Sequence, residues 1–293
     1  MPSMEKGLFL FLAMVSFFFL SPVEASASSG PDITVTPSKI GQGEISLLSI
    51  ERKGVEPEVT WMGKKITLVA DEKNEILSGF IGADLTTRPG RYKLKISRAD
   101  KDNPHSIVIS VLSRDYGIRR LTLPREMVEL DADTLKRVKE EIRVVRELFI
   151  RPAGSSLWRG KWIRPVAGTV ISPFGPRRII NDEERSPHSG VDLKAPEGTP
   201  VKATNRGKVA LVADHFFGGL SVFIDHGGGI HSMYFHLSQA FVRAGQLVEK
   251  GTTVGLSGCS GRATGPHLHF GVRLNGGRVN PINLIEISGR LER

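Results

Sequence analysis

Seven of the eight histidines lie in the stretch from residue 188 to the C-terminus, and three short segments there carry groups able to bind a metal or move protons. In His188-Ser-Gly-Val-Asp192 an imidazole and a carboxylate stand four residues apart. Pro187 and Gly190 disfavour a helix, and positions four apart on an extended strand share a face, so His188 and Asp192 are expected to point the same way. In His267-Leu-His269-Phe the alternation is strict, with both imidazoles on one strand face, Leu268 and Phe270 on the other, and Gly271 leaving space beside them. Tyr234-Phe-His236-Leu predicts the same arrangement, Tyr234 and His236 on one side and the apolar pair behind.

Imidazole nitrogens and a carboxylate oxygen suit zinc, and a catalytic zinc takes three protein ligands while leaving one position open. Such an ion lowers the pKa of a bound water from about 15.7 toward about 7, so neither serine nor cysteine is needed as nucleophile and the remaining histidines are free to move protons. Spacing does not say which of His267 and His269 would bind. Each segment alone is a weak signal, because H-x-H and H-x-x-x-D recur by chance; three in one region, each on a strand with an apolar back, point to a metal site. The other candidates are assigned blander roles: His226 a turn, His231 a strand surface, His215 a loop near the substrate groove, and Cys259 a small buried side chain in a Gly-rich turn. The polar run between Arg177 and His188 is expected to be a mobile rim loop.

The elements that must hold these groups are mainly β. From Lys161 to the C-terminus glycines punctuate short β-like runs, predicting an antiparallel sheet domain over 161–293. Residues 28–113 show about seven runs rich in β-branched residues, with Tyr92, Leu94 and Ile96 alternating with Lys93 and Lys95, which predicts an immunoglobulin-like β-sandwich. Between them, over 114–160, Leu135, Val138, Ile142, Val145 and Phe149 recur at helical spacing. They predict a connecting helix capped by Asp131 or Asp133, ended by Pro152, and packed on one of the domains, where it or the N-terminal unit partly covers the cleft.

Residues 1–27 read as a cleaved signal peptide: Lys6, an apolar stretch from Gly7 to Leu20, then small residues at Ala25 and Ala27. The stretch is shorter than the roughly 20 residues a spanning helix needs, so no membrane span is expected after cleavage. The net charge of +9 points to a polyanionic envelope surface or to simple solubility. Nucleic acid is not expected, because the basic residues are scattered without interleaved aromatics. With Cys259 as the single cysteine, no intramolecular disulfide can form.

Phe174-Gly-Pro-Arg-Arg178, His188-Ser-Gly-Val-Asp192, Tyr234-Phe-His236-Leu-Ser and Thr264-Gly-Pro-His267-Leu-His269-Phe resemble the successive signatures of the lysostaphin and LytM family of zinc endopeptidases, over roughly Trp162 to Leu284. The resemblance implies zinc held by His188, Asp192 and His269, with His236 and His267 unliganded and assisting catalysis. It further implies an antiparallel β fold and, as substrate, peptide bonds in the stem or cross-bridge of bacterial peptidoglycan, met in the periplasm or cell envelope. The alternative is an inactive relative that binds peptidoglycan or activates an amidase, but such proteins lose metal ligands and this chain keeps them. A wall-anchoring role through the β-sandwich is the other alternative.

Overall fold

The computed structural model describes residues 27–28, 32–98, 104–122, 124–125, 128–150 and 154–292. The expected signal peptide therefore lies, but for Ala27, outside the described residues, as does Pro152. Among the described residues no helix is long and apolar enough to cross a membrane.

Alternation builds the N-terminal unit. Strand Gly90–Ser97 buries Leu94 and Ile96 and turns Lys93 and Lys95 outward, and it pairs antiparallel with His105–Leu112 so that Leu94 faces Ile107. Two five-stranded sheets result. One runs in the order Ala27–Ser28, Ile33–Thr36, Ile45–Glu51, Ile76–Gly82, Val69–Ala70; the other runs Lys39–Gly41, His105–Leu112, Gly90–Ser97, Glu58–Trp61, Lys64–Ile66. They enclose Val35, Leu48, Ile50, Trp61, Ile81, Leu94 and Ile109. The extra strands beyond the expected seven are two or three residues long, too short for a period of two to register.

Strand Ile45–Glu51 is apolar on both faces, and the reason lies in the C-terminal unit. Leu48 and Ile50 enter the sandwich, whereas Ile45, Leu47 and Phe80 join a second core with Trp158, Trp162, Leu274, Val279 and Leu284. Phe80 meets Trp158 at 5.1 Å between ring centroids, a burial worth about 1.5–3 kcal/mol for one such side chain. The seam also holds an ion pair: Arg278 donates from its guanidinium to Asp84 at 2.7 and 3.0 Å and from its backbone N–H at 2.7 Å. Burial alone would raise the Asp84 pKa, but these bonds and those from Thr86 outweigh it and hold the carboxyl well below its usual range. A depressed pKa means stability that is present above the unfolded value of about 3.9 and is lost as pH falls through the folded value. Asp84→Ala should therefore cost about 1–3 kcal/mol at pH 7 and flatten the loss of stability between pH 4 and 2, as read by urea unfolding across that range.

The C-terminal unit is a ten-stranded, largely antiparallel sheet whose main path runs Val170–Ser172, Gly190–Leu193, Leu268–Leu274, Ile230–Ala240, Gly219–Asp225, Gly207–His215, Leu247–Val248. Residues expected in the connector contribute to it: the Leu157 and Trp158 N–H groups donate to the His226 carbonyl at 2.8 and 3.1 Å. Strand Ile118–Leu121 pairs in parallel with Arg177–Ile180, which pairs in turn with Glu183–Arg185. The expected rim loop is thus a hairpin extended by a strand from the connector.

The connecting helix spans Ala132–Ile150, and Asp131 caps it by accepting from Thr134 N–H at 2.8 Å. Its apolar stripe is only partly used, since Val138 is buried while Leu135 and Ile142 are exposed. Polar contacts dock it: Glu141 accepts from Phe216 N–H at 3.0 Å, and Arg137 donates to the Asp214 carbonyl at 2.9 Å.

Candidate active site

Sheet register assembles the site. Ser172, Asp192, His269 and Phe235 are successive partners across four strands, so their side chains form one row on one face. His188 sits just before its strand and folds back to place Nε2 at 3.1 Å from Asp192 Oδ1 and 3.0 Å from His269 Nδ1. His269 Nδ1 lies 2.8 Å from the same carboxylate oxygen. One ligand atom from each of His188, Asp192 and His269 lies within 4.8 Å of the others.

These three donors fit a metal ion. Donors 2.0–2.2 Å from a shared zinc at tetrahedral angles stand about 3.3 Å apart, close to the separations seen. The rings are also oriented for it. His188 Nδ1 donates to the Pro173 carbonyl at 2.6 Å, which leaves a lone pair on Nε2 aimed at the centre. Ser172 Oγ lies 3.2 Å from that Nδ1 and accepts from Arg119, which arrives on the connector strand. Phe235 stacks on His269 at 5.3 Å with an interplanar angle of 11°. Burial by itself would raise the Asp192 pKa, but its contacts with His188 and His269 hold it well below the carboxylate range, so it is an anion.

The two other histidines stand beside this cluster. His236 and His267 lie 4.8 Å apart between ring centroids, and His267 Nε2 is 3.8 Å from Asp192 Oδ1. His236 Nδ1 faces the Ser260 carbonyl at 2.8 Å and His267 Nδ1 the Gly265 carbonyl at 2.8 Å. A carbonyl only accepts, so in each ring Nδ1 is the donor. Burial pulls the His236 pKa down to about 4 and so favours the neutral ring, with the Ser260 contact pulling the other way.

Several expectations need correction. Tyr234 does not share a side with His236: its hydroxyl accepts from Thr204 N–H at 2.9 Å and from Ser232 in the buried core behind the sheet. The cause is the backbone of His236, whose φ of 62° breaks the alternation and swings its ring to the metal side. His226 and His231 are both buried, so His231 is not a surface residue; His226 lies between the Arg206 carbonyl and Ser232 Oγ at 2.8 and 2.7 Å. His215 ends a strand, buried against Phe223. Cys259 is exposed rather than buried.

Gly190 is a functional position that sequence reading passed over as ordinary punctuation. A Cβ there would stand 2.7 Å from His269 Nε2 and 2.5 Å from the Phe270 carbonyl oxygen. Gly190→Ala should tilt the His269 ring away from its partners and weaken metal binding by about 10–100-fold, measurable by competition with a chelating dye. Gly175 plays the equivalent part at the connector: its φ is 104°, and the Tyr116 ring packs where a Cβ would be.

Residues 186–281 match the model of peptidase family M23, which places all five of His188, Asp192, His236, His267 and His269 inside the matched segment. A crystal structure of a candidate peptidase M23 from Pseudomonas aeruginosa superposes with a TM-score of 0.67 at 33% identity, over 84% of this chain and 95% of that one. The chain belongs to peptidase family M23. Among family relatives, a Haemophilus influenzae protein named as an uncharacterized metalloprotease is 30% identical over 245 residues, covering 80% of this chain and 50% of its own length. The peptidoglycan DD-endopeptidase ShyA of Vibrio cholerae is 41% identical over 130 residues, 43% of this chain and 30% of the relative. The chain thus spans half or less of the length of these two relatives. Both halves of the chain contribute to the superposition on the Pseudomonas protein, so the likeness extends beyond the M23 segment to the N-terminal region.

Proposed function

We propose that this protein is a zinc-dependent endopeptidase that hydrolyses peptide bonds of bacterial peptidoglycan in the cell envelope. The observation that carries this reading is the meeting of His188, Asp192 and His269 at mutual distances of 2.8–3.1 Å beside two imidazoles held by backbone carbonyls. Two nitrogens and one carboxylate oxygen are a donor set typical of catalytic zinc. When bound, zinc supplies Lewis acidity, polarising a carbonyl and making water acidic enough to attack it near neutral pH. His188, Asp192 and His269 hold the ion. His236 and His267, each held through Nδ1 by a backbone carbonyl, keep Nε2 for proton transfer, and one of them takes the proton from the attacking water and returns it to the departing amine. The proton on each Nδ1 stays on a backbone carbonyl, which fixes both rings through that exchange. The substrate class is supported by the ShyA relative's name, and the envelope by that substrate and by the leader read from residues 1–27.

The test is zinc content together with peptide release from purified cell walls. About one zinc per chain and chelator-sensitive release, restored by zinc, are expected. Equal release by the chelated and reloaded protein would end the reading.

A further inference from the structure

The strand that carries His236 is irregular at that residue, and what holds the irregularity can be followed to the connecting helix. Leu220 stands opposite Leu237 and Val222 opposite Tyr234, so between them Ser221 faces two residues, Phe235 and His236. One extra residue on one strand is a β-bulge, which re-aims a side chain and leaves a backbone group outside the ladder. His236 takes the left-handed conformation there, at φ 62°. Its N–H finds a partner off the ladder, donating to the Gly218 carbonyl at 2.8 Å. Its ring is fixed separately, with Nδ1 2.8 Å from the Ser260 carbonyl.

Both partners belong to or rest on one hairpin turn, Phe216-Phe217-Gly218, which joins strands Gly207–His215 and Gly219–Asp225. Gly218 is its last residue. Ser260 is pressed against it: Ser260 Oγ accepts from Leu220 N–H at 3.0 Å and donates to the Leu237 carbonyl at 2.7 Å. A Cβ on Gly219 would stand 2.4 Å from the Ser260 carbonyl carbon, so the two backbones touch. The Phe217 carbonyl accepts from Arg262 N–H on the same glycine-rich loop at 3.0 Å. The turn thus holds His236 by its backbone and, through residues 260–262, by its ring.

The far end of the turn is held by the helix. The Phe216 N–H donates to both carboxylate oxygens of Glu141, at 3.0 and 3.2 Å. Arg137, one helical turn earlier, pairs with Glu141 at 2.7 Å and donates to the Asp214 carbonyl at 2.9 Å, so the two side chains grip the chain on either side of His215. Bonds to a carboxylate are the stronger class, and this one is shielded, the Glu141 side chain being 18% exposed. We infer that Glu141, assisted by Arg137, is a positioning residue for His236: the helix sets the turn, the turn sets the bulge, and the bulge presents the imidazole beside His267. The inference rests on the endopeptidase reading and deepens it. Its consequence is that a segment outside the M23 match at 186–281 governs how well the proton-transfer group is placed.

The experiment uses the zinc-loaded full chain and a cross-linked wall peptide. Alanine is a strong helix former, so Glu141→Ala keeps the helix and removes the acceptor. It should lower kcat by about 10–100-fold while KM and zinc content stay within about twofold of the unaltered protein. Glutamine still offers an oxygen to the Phe216 N–H, and Glu141→Gln should return kcat to within about fivefold. In a His236→Asn background Glu141→Ala should slow the reaction by less than about twofold, because the group it positions is gone. An equal loss in both backgrounds overturns the assignment, as does a kcat for Glu141→Ala within about twofold of the unaltered protein. Arg137→Gln, expected to lower kcat by about 3–10-fold with the same pattern, serves if Glu141→Ala does not fold. A second measurement is independent of turnover. Amide hydrogen exchange in Glu141→Ala should quicken by about tenfold or more at residues 216–218 and 235–237 and stay unchanged in Gly190–Leu193 and Leu268–Leu274. Unchanged exchange at 235–237, or quickening throughout the sheet, overturns the assignment. No hydrolysis by the unaltered zinc-loaded protein would remove the endopeptidase reading instead, and the exchange pattern then decides by itself whether the helix holds the His236 bulge.

Discussion

Asp192→Asn should release the metal: zinc falls from about one per chain to below about 0.1 after dialysis, and hydrolysis of wall peptides falls at least about a thousandfold. The size of the effect follows from where Asp192 stands. Its Oδ1 is 2.8 Å from His269, 3.1 Å from His188 and 3.8 Å from His267, so three imidazoles converge on one carboxylate oxygen. Asparagine keeps the volume but removes the anion, and it replaces one oxygen with an N–H₂ group that repels a cation. The backbone is not at risk, because the pairing of Asp192 with Ser172 and with His269 is made by main-chain atoms of a central strand. Zinc measured by atomic absorption, beside a thermal unfolding curve of the chelated protein, separates loss of the site from loss of the fold. Retained zinc with retained hydrolysis would mean that the ion is held elsewhere.

The same arrangement shows which parts of this site are legible in one dimension. His267 and His269 are two apart on a strand, and His188 and Asp192 are close neighbours, so residue type and local period already place them together. What brings the pairs to each other is register, Asp192 opposite His269, which no local pattern encodes. His236 escaped the period altogether: a single residue in the left-handed region reverses the facing of everything after it, and an imidazole at φ 62° gives no sign of this in the sequence. The helix was readable from its spacing, yet its docking was not, because Glu141 and Arg137 hold it to the Asp214–Phe216 segment while Leu135 and Ile142 face outward. Arg119 illustrates the same limit over a longer range. Its neighbours in sequence are exposed and unremarkable, and its place beside Ser172 and His188 arises only when the connector strand pairs with Arg177–Ile180.

His236→Asn should separate proton transfer from metal binding: kcat drops by about 10²–10⁴-fold while zinc stays near one per chain and KM changes little. Asparagine is chosen over alanine because position 236 has a φ of 62°, a conformation asparagine accepts and alanine resists. The ring it removes stands apart from the His188, Asp192 and His269 group, for its Nδ1 faces the Ser260 carbonyl and its contact with His269 is edge-on at 6.2 Å between centroids. His267→Ala should lower kcat over the same range, since its Nδ1 is tied to Gly265 in the same manner and its free nitrogen faces the same space. If the two imidazoles pass one proton between water and the leaving amine, they act as a unit, and the double variant should be no slower than the worse single one by more than about tenfold. Multiplicative losses in the double variant would instead assign each ring a separate step. A fall in zinc content in His236→Asn comparable to that in Asp192→Asn would move His236 from proton transfer into the ligand set and overturn the division of roles drawn from the 2.8 Å Ser260 contact.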